Sequence, residues 1–392
     1  MDRYRKGLVA LSADPVTVGH IHLIETARGH CHSLVVLVAN NDAKKNSYLF
    51  SLSERMEMVR RAISHLTHVE VYASDGLLVD AFLEYGCDIL FRGIRNEADM
   101  RYEEEQAAGN AYIYQRMESR VSYLKASPLY AGVSSTIVRA YASHHVDVTP
   151  LVPTQVKAQL EERLHGQYKI GITGVIASGK SYVAQALFAK AQSWKLPTSF
   201  INIDELIREL YDEQSDGAQS VREELVQLLG EDVLTSDRRG IDRQRMAALL
   251  FDQDAPPELI QQVSELVRPH VDRLYRKALK TAKGLVIVEW AQMAETNMSG
   301  WTNHNVIVVE AKDRDPFIRN RGLSSRRLKS LETSQWSTDR KIEELNRRVA
   351  EYNYGWIHRF QNDSDPVNFN ATIAKLLKLI VDDVYPNLEK LR

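Results

Sequence analysis

Two short strings constrain this chain more than anything else in it: Ser12-Ala13-Asp14-Pro15-Val16-Thr17-Val18-Gly19-His20 and Gly174-Val175-Ile176-Ala177-Ser178-Gly179-Lys180-Ser181. Each follows a short apolar run, Leu8-Val9-Ala10-Leu11 or Ile170-Gly171-Ile172, and each precedes residues of helical period. A strand that feeds a loop and then a helix aims backbone N–H groups and the positive helix end at one point, which suits a phosphate. With one such start at the head of each half of a 392-residue chain, each half is expected to build its own core.

The remaining apolar pattern agrees. In the first half, strand-like runs at Leu8–Leu11, Ser33–Ala39, Val69–Tyr72, Ile89–Phe91 and Val121–Leu124 alternate with helical segments at Leu52–Leu66, Leu77–Tyr85 and Met100–Met117. Asp147-Val148-Thr149-Pro150 reads as a helix entry and Val152–Leu164 as a closing amphipathic helix before Gly166. The second half restarts with Tyr168–Ile172, Ser199–Ile203, Leu285–Glu289 and Asn305–Ala311, with long helical stretches between Asp204 and Lys283. Ala371–Tyr385 has the spacing of a packed terminal helix. Strict alternation of this kind predicts α/β architecture: two doubly wound parallel-sheet domains, a Rossmann-like 1–165 followed by a nucleotide-binding 166–392.

Composition narrows the partners. The formal net charge is −2 and basic residues are spread along the chain, unlike the basic footprint of a nucleic-acid binder. Two cysteines, Cys31 and Cys87, are too few for a disulfide framework or a cysteine zinc site and fit a reducing compartment. No run approaches the ~20 apolar residues of a membrane span, and the apolar run after Arg3, Arg5 and Lys6 ends at Asp14, too short for a signal peptide. The expectation is a cytoplasmic protein that acts on nucleotides, with no nucleic-acid or membrane partner; a homo-oligomer stays open.

In the first half, Gly19 would let a substrate approach the backbone, and His20 could donate to a phosphate oxygen as charge builds there. Together with Lys44, Arg92-Gly93-Ile94-Arg95, Asp99, Tyr102-Glu103 and Ser134-Ser135-Thr136-Ile137-Val138-Arg139, the first string resembles bacterial phosphopantetheine adenylyltransferase over roughly residues 5–165. The resemblance implies that Ser12 and Lys44 hold the phosphate of 4′-phosphopantetheine and that His20 and Lys44 stabilise the ATP α-phosphate. It further implies that Arg92, Leu77 and Leu78 contact the acceptor, while Gly19, Arg95, Glu103, Ser134, Ser135, Thr136 and Arg139 hold ATP. Attack of a phosphate oxygen on the α-phosphorus needs no protein nucleophile, only fixed positive charge and Mg²⁺ on the departing pyrophosphate. Leu11 departs from the family, which has glycine there, and its side chain is expected to crowd the ATP phosphates.

The second string satisfies the P-loop pattern: backbone amides from Gly174 to Gly179 cradle phosphate, Lys180 reaches the β and γ oxygens, and the Ser181 hydroxyl coordinates Mg²⁺. Asp204 ends the second strand, where an acceptor hydroxyl could be deprotonated, and Arg208 lies one helical turn on. With Arg268-Pro269-His270, the strand ending at Glu289 and an arginine-rich segment, this half resembles dephospho-CoA kinase over about residues 167–385. That resemblance implies Asp204 as base for the ribose 3′-hydroxyl, Arg208 on the CoA moiety, and Arg319 with Arg321, Arg326 or Arg327 closing on ATP. Val175, Ala177, Asn202, Arg268 and Ala291 depart from the family, and Val175 would be strained if its position needs positive φ.

The two implied reactions are consecutive, from 4′-phosphopantetheine to dephospho-CoA and on to CoA, each with ATP. A fused NMN adenylyltransferase and ribosylnicotinamide kinase also carries Gly-His and a Ser-x-Thr-x-x-Arg turn, but the Arg92 to Glu103 segment argues against it. A non-catalytic binder of ATP or CoA is the remaining alternative.

Overall fold

The computed structural model describes residues 3–40, 47–115, 117–212, 214–250, 256–311, 314, 318, 335–362 and 366–391, in two compact units, Met1–Leu164 and His165–Arg392. The first unit runs β1 (Tyr4–Leu11), α1 (Val18–Gly29), β2 (Cys31–Ala39), α2 (Leu52–Ala62), β3 (Val69–Ser74), α3 (Leu78–Glu84), β4 (Ile89–Ile94), α4 (Glu97–Ala111), β5 (Val121–Lys125), α5 (Ser135–Ser143) and α6 (Thr154–His165). Its sheet has the order β3-β2-β1-β4-β5 with every pairing parallel. Residues Leu8 and Val9 of β1 are fully buried on opposite faces, one in each of the unit's two apolar clusters. This is why the strand reads as a continuous apolar run rather than an alternating one.

The second unit runs β6 (Gln167–Gly174), α7 (Lys180–Ser193), β7 (Thr198–Asn202), α8 (Ile203–Asp212), α9 (Asp216–Leu229), α10 (Arg243–Leu250), α11 (Pro257–Leu279), β8 (Gly284–Glu289), β9 (Asn305–Ala311), α12 (Thr338–Tyr352), β10 (Trp356–Asn362) and α13 (Pro366–Leu379). Its sheet order is β10-β9-β6-β8-β7, again parallel throughout. Ile373, Leu376, Leu377, Ile380 and Val381 of the terminal helical segment are buried with Val183 and Leu187 of α7.

The α/β architecture is the one the apolar pattern predicts, with local differences. Strand β10 was not anticipated: Trp-Ile-His-Arg-Phe-Gln-Asn mixes apolar and polar residues because an edge strand pairs on one side only, here with β9. Helix α4 starts three residues before the expected Met100, because the Asn96 side chain accepts the Asp99 N–H at 2.9 Å and caps it. Ile203 opens α8 instead of ending β7.

Helix α6 is pinned by a buried cation. The Lys157 ammonium, 2% exposed, lies 3.0 Å from Asp147 and 3.8 Å from Glu161, and Asp147 also accepts the Thr149 N–H at 3.1 Å. Burial opposes ionisation of Asp147, yet the Lys157 charge and the Thr149 hydrogen bonds outweigh it and hold the carboxyl well below the usual range. A depressed carboxylate contributes stability above its unfolded value, and that contribution is lost as pH falls below about 4. Lys157→Ala leaves the two carboxylates unpaired and should cost the first unit about 3 kcal/mol at neutral pH. Denaturant unfolding of wild type and variant should show this gap narrowing as the pH is lowered through that range.

Candidate active sites

In both units the strand that is central and first, β1 or β6, ends at the carboxyl edge of the sheet between neighbours that lead away in opposite directions. This is the switch point at which open parallel sheets bind ligands.

At the first edge, residues 12–17 join β1 to α1. Asp14 is 2% exposed and accepts the N–H groups of Leu49 and Phe50 at 2.9 and 3.0 Å while pairing with Arg139 of α5 at 2.8 Å. Arg139 also donates to the Asp14 carbonyl, so this arginine fastens α5 to the loop. Ser135 adds a second tie, its hydroxyl donating to the Pro15 carbonyl at 2.8 Å, and Ser134 caps α5 by accepting the Ile137 N–H at 3.2 Å. Thr136 is exposed beside them in the first turn.

Thr17 caps α1 in a capping box closed by His20. His20 Nδ1 accepts the Thr17 backbone N–H at 3.0 Å, so the neutral ring carries its proton on Nε2, the atom left to serve as a donor. At Gly19 an added Cβ would meet nothing nearer than Thr17 Oγ1 at 3.6 Å. Packing within the protein therefore does not demand a glycine there: a Cβ would make ordinary contacts with Thr17, Val133 and Tyr130.

Arg92 at the end of β4 is paired with Glu103 of α4, and Arg95 grips Asp99 with two hydrogen bonds of 2.8 and 3.2 Å. The hydrogen bond from Arg95 holds the Asp99 carboxyl below its ordinary pKa, and the same bond raises the pKa of Arg95. Each arginine thus stands beside a carboxylate partner. Leu77, 56% exposed, and the half-buried Leu78 open α3 and offer apolar surface. Ser12 accepts a hydrogen bond from the Tyr48 hydroxyl at 3.3 Å. Lys44 lies outside the described residues. Leu11 does not crowd this edge: its side chain is buried in the cluster with Val9 and Ala13.

At the second edge, β6 ends at Gly174, whose added Cβ would lie 2.4 Å from the Val309 carbonyl oxygen and 2.7 Å from Ser178 Oγ. Positive φ falls on Ala177 at 59° and Gly179 at 79°, not on Val175, so the strain anticipated at Val175 is absent and a milder one sits on an alanine. Lys180, 6% exposed, opens α7, and Ser181 donates to Glu289 at the end of β8. Asn202 Nδ2 donates to the other Glu289 oxygen at 3.4 Å while its Oδ1 accepts the Glu205 N–H at 3.2 Å. An aspartate at 202 would face Glu289 with like charge; the amide instead joins Glu289 to the start of α8. Asp204, half-buried, and the exposed Arg208 follow one turn apart on that helix, Asp204 in the first turn where the helix dipole favours a carboxylate.

The segment before α12 docks on the phosphate loop. Gln335 Oε1 accepts the Ile176 N–H at 2.8 Å, and Arg314 donates to the Ile176 carbonyl at 3.4 Å. Behind them Glu295 accepts from Lys341 Nζ and from the Trp336 N–H at 3.0 Å, while Lys341 also donates to the Ala291 carbonyl at 2.8 Å. Arg268 is exposed on α11, and Arg319, Arg321, Arg326 and Arg327 lie outside the described residues.

Several of these residues had no role in the sequence analysis. Glu289 was legible as the polar end of an apolar strand. Gln335 and Lys341 carried no local signal: Gln335 precedes α12 and Lys341 lies in its polar first turns, and each acts on residues far away in sequence.

Comparison with known proteins agrees with this geometry. The Cytidylyltransferase-like family matches residues 12–141 and the Dephospho-CoA kinase family residues 168–351. The chain is 32% identical over 158 residues to a phosphopantetheine adenylyltransferase of Staphylococcus haemolyticus, covering 40% of this chain and 96% of that protein. It is 37% identical over 150 residues to one of Haemophilus influenzae, covering 38% of this chain and 94% of that protein. A crystal structure of NadR protein in complex with NR overlaps 96% of both chains, at 15% identity and a TM-score of only 0.31.

Gly174 and Ala177 should respond differently to substitution. Gly174→Ala should markedly lower the thermal stability of the second unit, through the clash with Val309. Ala177→Gly should change it by less than about 1 kcal/mol, because relief of left-handed strain offsets the added chain entropy. Calorimetry of the full chain would measure both.

Proposed function

Because the chain belongs to the phosphopantetheine adenylyltransferase family through its first half and carries a dephospho-CoA kinase domain in its second, we propose that one polypeptide runs both reactions in sequence. It is a bifunctional transferase of the last two steps of coenzyme A biosynthesis, using ATP at each. The observation that carries the reading is the pairing of a Thr17-capped Gly-His helix start in one unit with a P-loop set against Glu289 in the other.

In the first step a phosphate oxygen of 4′-phosphopantetheine attacks the α-phosphorus of ATP, and pyrophosphate leaves. His20, whose Nδ1 accepts the Thr17 N–H so that the neutral ring carries its proton on Nε2, donates to the α-phosphate as negative charge grows there. Ser12 and Lys44 hold the acceptor phosphate, Arg92 and the Leu77-Leu78 surface its pantetheine part. Gly19, Arg95, Glu103, Ser134, Ser135, Thr136 and Arg139 frame ATP, Arg139 by holding the loop through Asp14 as much as by direct contact.

In the second step Asp204 accepts the proton of the ribose 3′-hydroxyl of dephospho-CoA as that oxygen attacks the γ-phosphorus of ATP, the bond to the β,γ-bridging oxygen breaks and ADP leaves. Lys180 and the amides between Gly174 and Gly179 hold the transferring phosphates, Arg208 grips the CoA moiety, and Arg319 covers ATP. The hard oxygen donors Ser181 and Glu289, already in contact, fit Mg²⁺, which takes few protein ligands and completes its shell with phosphate and water. When bound, the ion neutralises charge on the phosphate oxygens. Among the described residues no helix is long and apolar enough to cross a membrane.

Purified chain given 4′-phosphopantetheine, ATP and Mg²⁺ should yield pyrophosphate and CoA by mass spectrometry. His20→Ala should slow dephospho-CoA formation by about 100-fold or more yet phosphorylate supplied dephospho-CoA at the wild-type rate. Lys180→Ala should stop at dephospho-CoA, and chelation of Mg²⁺ should halt both steps. Formation of neither product by the wild type would overturn the reading in favour of a non-catalytic binder.

A further inference from the structure

Helix α2 carries an arginine that touches the first site from behind. Arg55 is 1% exposed, and no carboxylate is hydrogen-bonded to it among the described residues. Its Nη1 donates to the Ser12 carbonyl and, at 3.3 Å, to that of Ala39. Its Nη2 donates to the Asn40 side-chain oxygen. The guanidinium lies over the Tyr48 ring, 4.0 Å from its centre, and the Tyr48 hydroxyl donates to Ser12 Oγ at 3.3 Å. Nε finds no partner among the described residues. Among the described residues the carboxylate that acts on it is Asp14, which is committed to Arg139 and to two backbone N–H groups.

A cation this deeply buried is costly unless its field is used. Its hydrogen-bond partners among the described residues are neutral dipoles. They are also specific: Ser12 on the loop after β1, Asn40 immediately before residues 41–46, and Tyr48 just after them. Residues 41–46 include Lys44. A single planar group therefore braces the Ser12 loop and both flanks of the stretch that bears Lys44.

We infer that Arg55 is a positioning residue for the acceptor phosphate, holding Ser12 and the flanks of the Lys44 segment in register and adding a fixed positive field behind them. The inference rests on the proposed assignment of Ser12 and Lys44 to that phosphate. Two bonded carbonyls and a stacked ring need a planar fork, so lysine at 55 keeps the charge but loses the brace.

The test compares the affinity of the full-length protein for 4′-phosphopantetheine with that for pantetheine, which lacks only the phosphate. Wild type should strongly prefer the phosphorylated compound. Arg55→Met should shrink that preference about tenfold or more, the worth of a charge-assisted contact, and Arg55→Lys should shrink it by less. The KM for ATP and the turnover of supplied dephospho-CoA should stay within about twofold of wild type. If Arg55→Met does not fold, Arg55→Lys carries the test with a contraction of about threefold. A preference unchanged in the variants, or affinities for ATP, pantetheine and 4′-phosphopantetheine that fall together, overturns the inference. A wild type that makes dephospho-CoA but shows no preference overturns it too, whereas a wild type that makes none overturns the functional reading beneath it.

Discussion

A central parallel strand spends its backbone hydrogen bonds on both neighbours, and this governs where each half of the molecule can bind anything. Strands β1 and β6 are paired on both sides at Gly7–Val9 and at Gly171–Ile172, and toward their carboxyl ends a single neighbour continues, β2 as far as Leu11 and β9 as far as Gly174. There the chain turns directly into α1 and α7, whose N-terminal N–H groups have no partners within the helix. The sheet thus delivers donors and a positive dipole to its carboxyl edge, twice, from two different strand orders.

The loops that receive this geometry are held by buried charges rather than by apolar packing. Asp14 gathers the Leu49 and Phe50 amides and Arg139 around the first loop, and Arg55 braces it from the opposite side. In the second unit Glu289, Asn202 and Ser181 form one hydrogen-bonded row, with Glu295 and Lys341 a second row behind it. Charges in such places cost desolvation free energy, and removing one partner costs more than the pair contributes. Each loop also holds an alanine at positive φ, Ala13 at 48° and Ala177 at 59°, local strain of the sort that surrounding hydrogen bonds sustain at ligand sites.

Departures from the family patterns take their meaning from these networks. Leu11 is harmless because a strand alternates its side chains, and the position two residues after Val9 points into the same core. Asn202 in place of an acid donates to Glu289 where a second carboxylate would repel it. The arginines Arg92 and Arg95 stand paired with Glu103 and Asp99 rather than as bare charges at the sheet edge.

The sequence by itself determined the two strand-loop-helix starts, the α/β class, nine strands legible as apolar runs, and the residue types gathered at each loop. Those features are local: propensity, period and capping act over a few residues and are written in them. The edge strand β10 was less legible because pairing on one side leaves its composition mixed. What only tertiary structure decided is which distant residues meet: Arg55 with Ser12, Gln335 with Ile176, Lys341 with Glu295, Asn202 with Glu289. A side chain's partner across more than forty residues follows from how sheet order and helix packing fold the chain back on itself, and no short-range pattern records it.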